Sequence, residues 1–311
     1  MNRRVLKAAV VTAAMVLSLA LFGSNPVRAG DDFTLETARA AAAHGDAKTL
    51  YLLGKRYAKG DGVPRDDAKA ADYLRQAAEL GYAYAQNDLG AFYARGLGVK
   101  QDFVEAAKWY RKAAENGDSL AQFTLGRIYA EGRGVPQDDR QSLLWYEKSA
   151  AQNQPDAMLA LGEVCLNGLE GRKPDYAAAL KWFQMAAGQG RIGALNSIGF
   201  IYEHGGGGVE RNVELALQSY REGAEKGNAR AQMNLGRMYL EGTGVKTDLV
   251  VAYMWFYLAS ENGEGVANHY LKELEGASPT PEVKLTPEQM AEARARADDL
   301  RQALAQRKAS Y

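Results

Sequence analysis

A Leu-Gly or Ile-Gly pair recurs along the chain at Leu53-Gly54, Leu89-Gly90, Leu125-Gly126, Leu161-Gly162, Ile198-Gly199 and Leu235-Gly236, at spacings of 36, 36, 36, 37 and 37 residues. A fixed period of this size marks stacked units that cannot bury an apolar face alone, and it limits the fold more than any local feature does. Just beyond each pair comes Tyr57, Tyr93, Tyr129, Cys165, Tyr202 or Tyr239, and further on Tyr73, Trp109, Trp145, Trp182, Ser219 or Trp255. Every tryptophan in the chain lies in that second column.

Each unit contains two helical stripes. Ala85, Leu89, Phe92 and Tyr93 fall at i, i+4, i+7 and i+8, and Ala106, Trp109, Tyr110, Ala113 and Ala114 repeat the pattern in the second half. Asn116-Gly117 then stops the second helix. The unit is a helical hairpin. Gly90, a residue that costs about 1 kcal/mol inside a helix, implies close approach of the Trp-bearing helix to the backbone. The glycine pairs Gly60-Asp61-Gly62-Val63, Gly96-Leu97-Gly98-Val99, Gly132-Arg133-Gly134-Val135 and Gly242-Thr243-Gly244-Val245 fall between the two helices of successive units. They read as turns, because a phosphate-binding glycine loop follows a strand and opens a helix. The extra residue of the longer units falls in these turns, at 168–174 and 205–209.

The set Ala85-Gln86, Leu89-Gly90, Tyr93, Gly96-x-Gly98-Val99, Asp102, Ala106, Trp109-Tyr110, Ala113-Ala114 and Gly117, repeated six times over residues 45–263, resembles the Sel-1-like repeat family, relatives of tetratricopeptide repeats. The resemblance implies an all-α, right-handed α/α superhelical solenoid of about six two-helix repeats. Asn153 for Gly, Cys165 for Tyr and Ser219 for Trp depart from the pattern and affect local packing.

Helical caps are expected at both ends, since each exposed end of a solenoid needs a polar face. The stretch 30–44 reads as a lone second helix, and 264–311 as a degenerate repeat, a linker and a capping helix. In the degenerate repeat, Glu264 to Glu275, Leu271-Lys272 replaces Leu-Gly. Thr286, Pro287 and Gln289 form a capping box, with Met290, Ala293, Ala297, Leu300 and Leu304 as the inward stripe behind it.

The first 29 residues carry Arg3, Arg4 and Lys7, an apolar run from Ala8 to Phe22 and a Val27-Arg28-Ala29 end. They read as a secretory signal cut after Ala29, the run of about 15 apolar residues being short of the roughly 20 that span a bilayer. A periplasmic or secreted protein with no stable membrane insertion after cleavage is expected. Lys+Arg and Asp+Glu balance at 38 each, so no positive surplus exists to follow a nucleic-acid backbone. One cysteine forms no internal disulfide, and Cys165 reads as a small buried core residue.

Few residues suggest chemistry. His204 to Gly208 invites comparison with esterase oxyanion loops, but it occupies a unit's inter-helix turn, and the chain has neither a G-x-S-x-G nor an S-x-x-K signature. His44 and His269 lie far from it, without metal-ligand spacing. Asp66-Asp67 and Asp138-Asp139 recur just before second helices, where carboxylates cap free N–H groups. No catalytic residue, cofactor or metal is expected.

In tetratricopeptide-like stacks the first helices line a concave groove, so the resemblance implies that their outward-turned residues meet a partner. These are Lys48, Tyr51 and Lys55; Tyr84, Asn87 and Arg95; Phe123 and Arg127; Leu159 and Glu163; Asn196 and Phe200; and Met233, Asn234 and Arg237. Aromatic, Met, Asn and Arg side chains suit an interface core, although the apolar members could equally pack between neighbouring first helices. The expected function is an exported, non-catalytic scaffold that binds a protein or peptide. For exported bacterial relatives the resemblance implies roles in envelope assembly, sensor regulation, polysaccharide secretion or host contact. A cell-wall or β-lactam hydrolase and a carbohydrate-binding solenoid are the alternatives.

Overall fold

Six helical hairpins follow one another in a computed structural model that describes residues 40, 42, 44–168, 173–277 and 284–309. First helices are α1 (Ala47–Lys59), α3 (Ala83–Arg95), α5 (Ser119–Glu131), α7 (Pro155–Asn167), α9 (Gly193–His204) and α11 (Ala229–Glu241). Second helices are α2 (Asp67–Glu79), α4 (Phe103–Glu115), α6 (Asp139–Ala151), α8 (Tyr176–Gly188), α10 (Val213–Glu225) and α12 (Leu249–Glu261). A short α13 (Ala267–Lys272), a π turn (Glu273–Ala277) and α14 (Pro287–Ala309) follow. The fold is an all-α, right-handed α/α solenoid. The proposed signal segment lies outside the described residues; of the expected N-terminal cap, Ala40 and Ala42 are helical and His44-Gly45 turns.

The helix-interior glycines hold each hairpin together. A Cβ on Gly126 would sit 2.6 Å from Cδ1 of Tyr146, and one on Gly162 or Gly199 would sit 2.6 Å from the ring of Phe183 or Tyr220. Gly90 faces Tyr110 and Gly236 faces Phe256 in the same way. The ring lying flat on the glycine is therefore the residue after the tryptophan column, which corrects the emphasis on tryptophan. Phe183, Tyr220 and Phe256 are fully buried. Trp109, Trp145 and Trp255 are buried nearer the rim, with the Lys112 and Lys148 ammonium groups each 4.1 Å from the ring centres of Trp109 and Trp145. Trp182 is only half-buried. Enclosure against the helix backbone at Gly126 also pushes the Tyr146 phenol up to about 12, burial being the main cause.

One hydrogen bond closes every hairpin. The N–H of the residue that caps the second helix donates to the carbonyl in the tyrosine column: Asp66 to Tyr57 (3.0 Å), Asp102 to Tyr93 (2.9 Å), Asp138 to Tyr129 (3.0 Å), Asp175 to Cys165 (2.8 Å), Asn212 to Tyr202 (2.7 Å) and Asp248 to Tyr239 (3.0 Å). The longer turns of units four and five keep this bond, which is why their extra residue leaves the stack undisturbed. Asp66 and Asp138 also accept from N–H groups of α2 and α6, as capping carboxylates should. The second turn glycine joins units: a Cβ on Gly98 would lie 2.0 Å from the carbonyl oxygen of Asp67, and on Gly134 2.1 Å from that of Phe103. Asn153, which replaces the glycine that ends other units, takes φ 61°, a left-handed conformation that asparagine tolerates.

A buried glutamine spans three helices at three of the joints. Gln86, Gln122 and Gln232 donate to the carbonyls of Ala78, Ala114 and Ala224 in the preceding unit, each at 3.0 Å. Their Oε1 atoms accept from Asn116, Gln152 and Asn262 at the end of their own unit's second helix, at 2.9, 2.8 and 2.9 Å. Both ends of the amide are satisfied, as burial demands. Met158 and Leu195 take this position in units four and five. Apolar clusters follow one another along the stack, and half-buried Tyr93 and Tyr202 each touch two of them.

At the C-terminal end, Lys272 stands where the helix-interior glycine belongs, and the last first helix stops there in the π turn. Then α14 covers α12. Its start is the expected capping box: Thr286 N–H donates to Gln289 Oε1 (2.9 Å) and Gln289 N–H to Thr286 Oγ1 (3.3 Å). Ala293 and Ala297 are fully buried, with Met290 and Leu300 packed at the edge.

Replacing Gly126 by Ala should lower stability by about 1–3 kcal/mol, because the ring of Tyr146 cannot withdraw without opening the hairpin. Gly188→Ala, with no atom within 4 Å of the added Cβ, should be neutral or raise stability by up to about 1 kcal/mol. Urea denaturation followed by circular dichroism measures both; equal midpoints for the two variants would refute the assignment.

Candidate functional site

Hydrogen bonds run directly between successive first helices. Lys55 Nζ meets Asp88 Oδ2 at 2.8 Å, Asn234 Nδ2 donates to Asn196 Oδ1 at 2.9 Å, and Arg237 binds Glu203. These contacts tie the first helices of neighbouring units into one layer. On that layer the rows facing the second helices repeat from unit to unit as Leu, Gly, Ala and Tyr. A row beside them, buried or half-buried, does not: it reads Tyr51, Asn87, Phe123, Leu159, Asn196, Met233.

The inner-face residues are of three kinds. Phe123, Leu159 and Met233 are half-buried and pack on the apolar clusters, Phe123 with its ring 5.8 Å from that of Tyr146. Lys55, Arg127, Asn196, Asn234 and Arg237 are held in polar pairs; Arg127 bonds Glu131 at 3.1 Å. Tyr84 and Arg95 are exposed, Lys48 and Glu163 are open to solvent, and Tyr51 and Phe200 are half-buried. Asn87 is buried: Nδ2 donates weakly to Asp88 at 3.5 Å and Oδ1 has no donor.

Charge on this face is enclosed by protein walls. Burial raises the carboxyls of Asp118, Asp156 and Glu163 above the usual carboxylate range. For Asp156 the Arg191 guanidinium, 2.5 Å away, opposes that rise. Glu163 itself is exposed, so there the effect comes from the low-dielectric protein around it, and the opposing field comes from Arg230 of unit six.

At the N-terminal end three tyrosine rings meet. Tyr51 lies 5.2 Å from Tyr82 and 6.4 Å from Tyr84, and Tyr82 lies 5.6 Å from Tyr84. Tyr84 is 60% exposed. Tyr82 was not singled out from the sequence, although it occupies a position that in other units holds Asp46, Asp118, Gln154 and Asn228, all of which cap first helices. Tyr82 makes no such bond.

Glu203 is the second residue the sequence reading missed. Its equivalents are Ala58, Ala94, Ala130, Leu166 and Leu240, so an acid in an Ala/Leu column was a legible signal. It is buried, binds Arg237 and accepts from the Tyr220 hydroxyl at 2.8 Å. Arg237 is thus tied into the joint between units five and six.

Residues with catalytic potential are otherwise engaged. Phe200 stacks on His204 at 4.2 Å, and the His204 Nδ1 lies 2.9 Å from the Phe200 carbonyl. Gly206 and Val209 exchange backbone bonds, while the Gly207 carbonyl accepts from Ala177. That glycine loop is a joint between units four and five. Cys165 is half-buried rather than buried as expected, and burial pushes its thiol up, away from the thiolate a nucleophile needs. Among the described residues, no three His, Cys, Asp or Glu side chains are grouped to hold a metal ion, and no helix is long and apolar enough to cross a membrane.

Arg237→Leu strands the Glu203 carboxylate in the joint and should cost about 2–4 kcal/mol, whereas Glu203→Leu with Arg237→Leu should recover most of it, since Leu166 and Leu240 fill the equivalent slot elsewhere. A double-mutant cycle in urea measures this; additive losses would refute it.

The Sel1 repeat family model matches residues 47–82, 83–118, 119–154, 155–190, 192–228 and 229–264. Among solved structures, the chain is similar to c5321, a protective antigen present in uropathogenic Escherichia coli strains and displaying an SLR fold, with 34% identity and a TM-score of 0.73 over 86% of this chain. The match covers 56% of that protein, so this chain spans little more than half of its length. A Sel1 repeat protein from Oxalobacter formigenes is 31% identical, with a TM-score of 0.68, over 80% of this chain and 96% of its own. No curated protein matches the chain.

Proposed function

The chain belongs to the Sel1 repeat family, and from that premise we propose that it is an exported, non-catalytic scaffold whose inner first-helix face holds a segment of a partner protein. One observation carries this reading: the row Tyr51, Asn87, Phe123, Leu159, Asn196, Met233, buried or half-buried on the first helices, changes chemistry from unit to unit while the Ala, Leu-Gly and Tyr rows of the same helices largely repeat. Packing and turn geometry require the repeated rows, and neither requires this variety. An irregular sequence of aromatic, amide and apolar groups along a groove is suited to recognising one particular peptide. The paired ions beside it fix the groove's shape beforehand and so reduce the entropy lost on binding.

Export is part of the proposal. The basic start, the apolar run and Ala29 support it, and the related Escherichia coli protein is a protective antigen, a property suited to proteins presented outside the cytoplasm. Intact mass of the protein from an envelope fraction should correspond to a chain starting at Gly30. A chain still carrying residues 1–29 in that fraction would refute cleavage.

A photo-crosslinking residue placed at Asn196 or Arg95 should give one discrete product in the native envelope, while the same residue at Lys108 or Lys181 on second helices should give none. Equal labelling from both layers, or none from the inner one, would remove the groove reading.

A further inference from the structure

Unit two departs from the repeat in a way that its own stability does not explain. A capping side chain at the start of a first helix contributes about 1 kcal/mol, and Asp46, Asp118, Gln154 and Asn228 each supply one. Units two and five forgo the bond, and in unit two the position is taken by Tyr82. Two residues on, Tyr84 stands 60% exposed where the next units carry Leu120, Asp156 and Gly193. Both rings are turned toward Tyr51 of the unit before, giving three ring centres within 6.4 Å of one another. Two sacrifices in one unit, made to assemble one aromatic surface, indicate a surface that something else meets.

The surroundings determine what that is. Lys55, 5.6 Å from the centre of Tyr51, is bonded to Asp88. Asp118, at the start of the next first helix, uses its carboxylate to accept from Ala121 N–H, and its field reaches Tyr51 and Asp88 while burial raises its carboxyl. Asn87, one unit along the row from Tyr51 and 9% exposed, keeps an Oδ1 acceptor with no donor. Ring faces, a carboxylate whose field reaches them and a spare acceptor all favour the same chemistry, a positively charged group rich in N–H donors.

We propose, resting on the groove reading above, that the Tyr51, Tyr82 and Tyr84 rings form a receptor for a lysine or arginine side chain of the partner segment, with Asp118 as its countercharge. The receptor sets the register of that segment by fixing one end at units one and two. The rest of the chain then lies along Phe123, Leu159 and beyond.

The test is a titration of the full chain into a fluorescently labelled peptide of alternating lysine and glycine, with the same peptide acetylated on every lysine as reference. The lysine peptide should bind about tenfold tighter than the acetylated one, and Tyr84→Ala should remove about tenfold of that affinity. Tyr84→Phe should keep it within about twofold, because the ring face and not the hydroxyl does the binding. Asp118→Asn preserves the helix cap and should weaken binding while flattening its salt dependence. Equal binding of the two peptides, no binding of the lysine peptide, or a loss with Phe200→Ala as large as with Tyr84→Ala would overturn the proposal. Preference for a chito-oligosaccharide over the lysine peptide would also overturn it, assigning the rings to sugar stacking. A discrete crosslink from Asn196 that survives Tyr84→Ala would leave the groove reading standing without this receptor.

Discussion

A bulky side chain resting on a bare helix backbone, Leu74 on Gly54 in unit one and an aromatic ring in the other five units, is the contact on which the other features depend. The two helices of a hairpin approach closely because Gly90, Gly126, Gly162, Gly199 and Gly236 have no side chain, and the ring opposite fills the space. That proximity sets the length of the turn, which in turn allows the second helix's capping residue to reach the tyrosine-column carbonyl. It also brings the turn's second glycine against the backbone of the unit before. Where Lys272 replaces the glycine, the pattern ends within a few residues. Burial of large side chains stabilises the stack, but this close approach decides its geometry.

Much of this was legible in the sequence because repetition averages out local ambiguity. A single Leu-Gly pair says little; six at a fixed period, with aromatic columns in step, leave one architecture. The caps Asp66 and Asp138, the turns and the Thr286 box followed from backbone N–H groups that need acceptors, a local requirement. The sequence did not separate Tyr110, buried against glycine, from Trp109 beside it, since adjacent residues on a helix differ by only 100° and both are aromatic. It also overstated the burial of Cys165 and Trp182, whose exposure depends on neighbours in other units. Tyr82 and Glu203 were readable in principle, as outliers within their own columns, but only a column-by-column comparison of units reveals them.

The same comparison separates architecture from recognition. Columns that repeat are explained by packing, turn conformation or capping. Among those that vary, some are solvent-exposed on the second helices, and others lie on the first helices, where units meet and burial holds the carboxyls of Asp118, Asp156 and Glu163 above their ordinary range. A solenoid thereby provides a rigid surface whose chemistry can change from one unit to the next without disturbing the framework.

The glutamine bridges have a mechanical consequence. They stitch units one to two, two to three and five to six with directional bonds that tolerate little sliding, whereas Met158 and Leu195 put apolar side chains in that place on either side of unit four, and units four and five are tied instead by the Ala177 N–H donating to the Gly207 carbonyl. Register between neighbouring units is therefore fixed by a side-chain amide at three joints and, between units four and five, by the backbone of a turn.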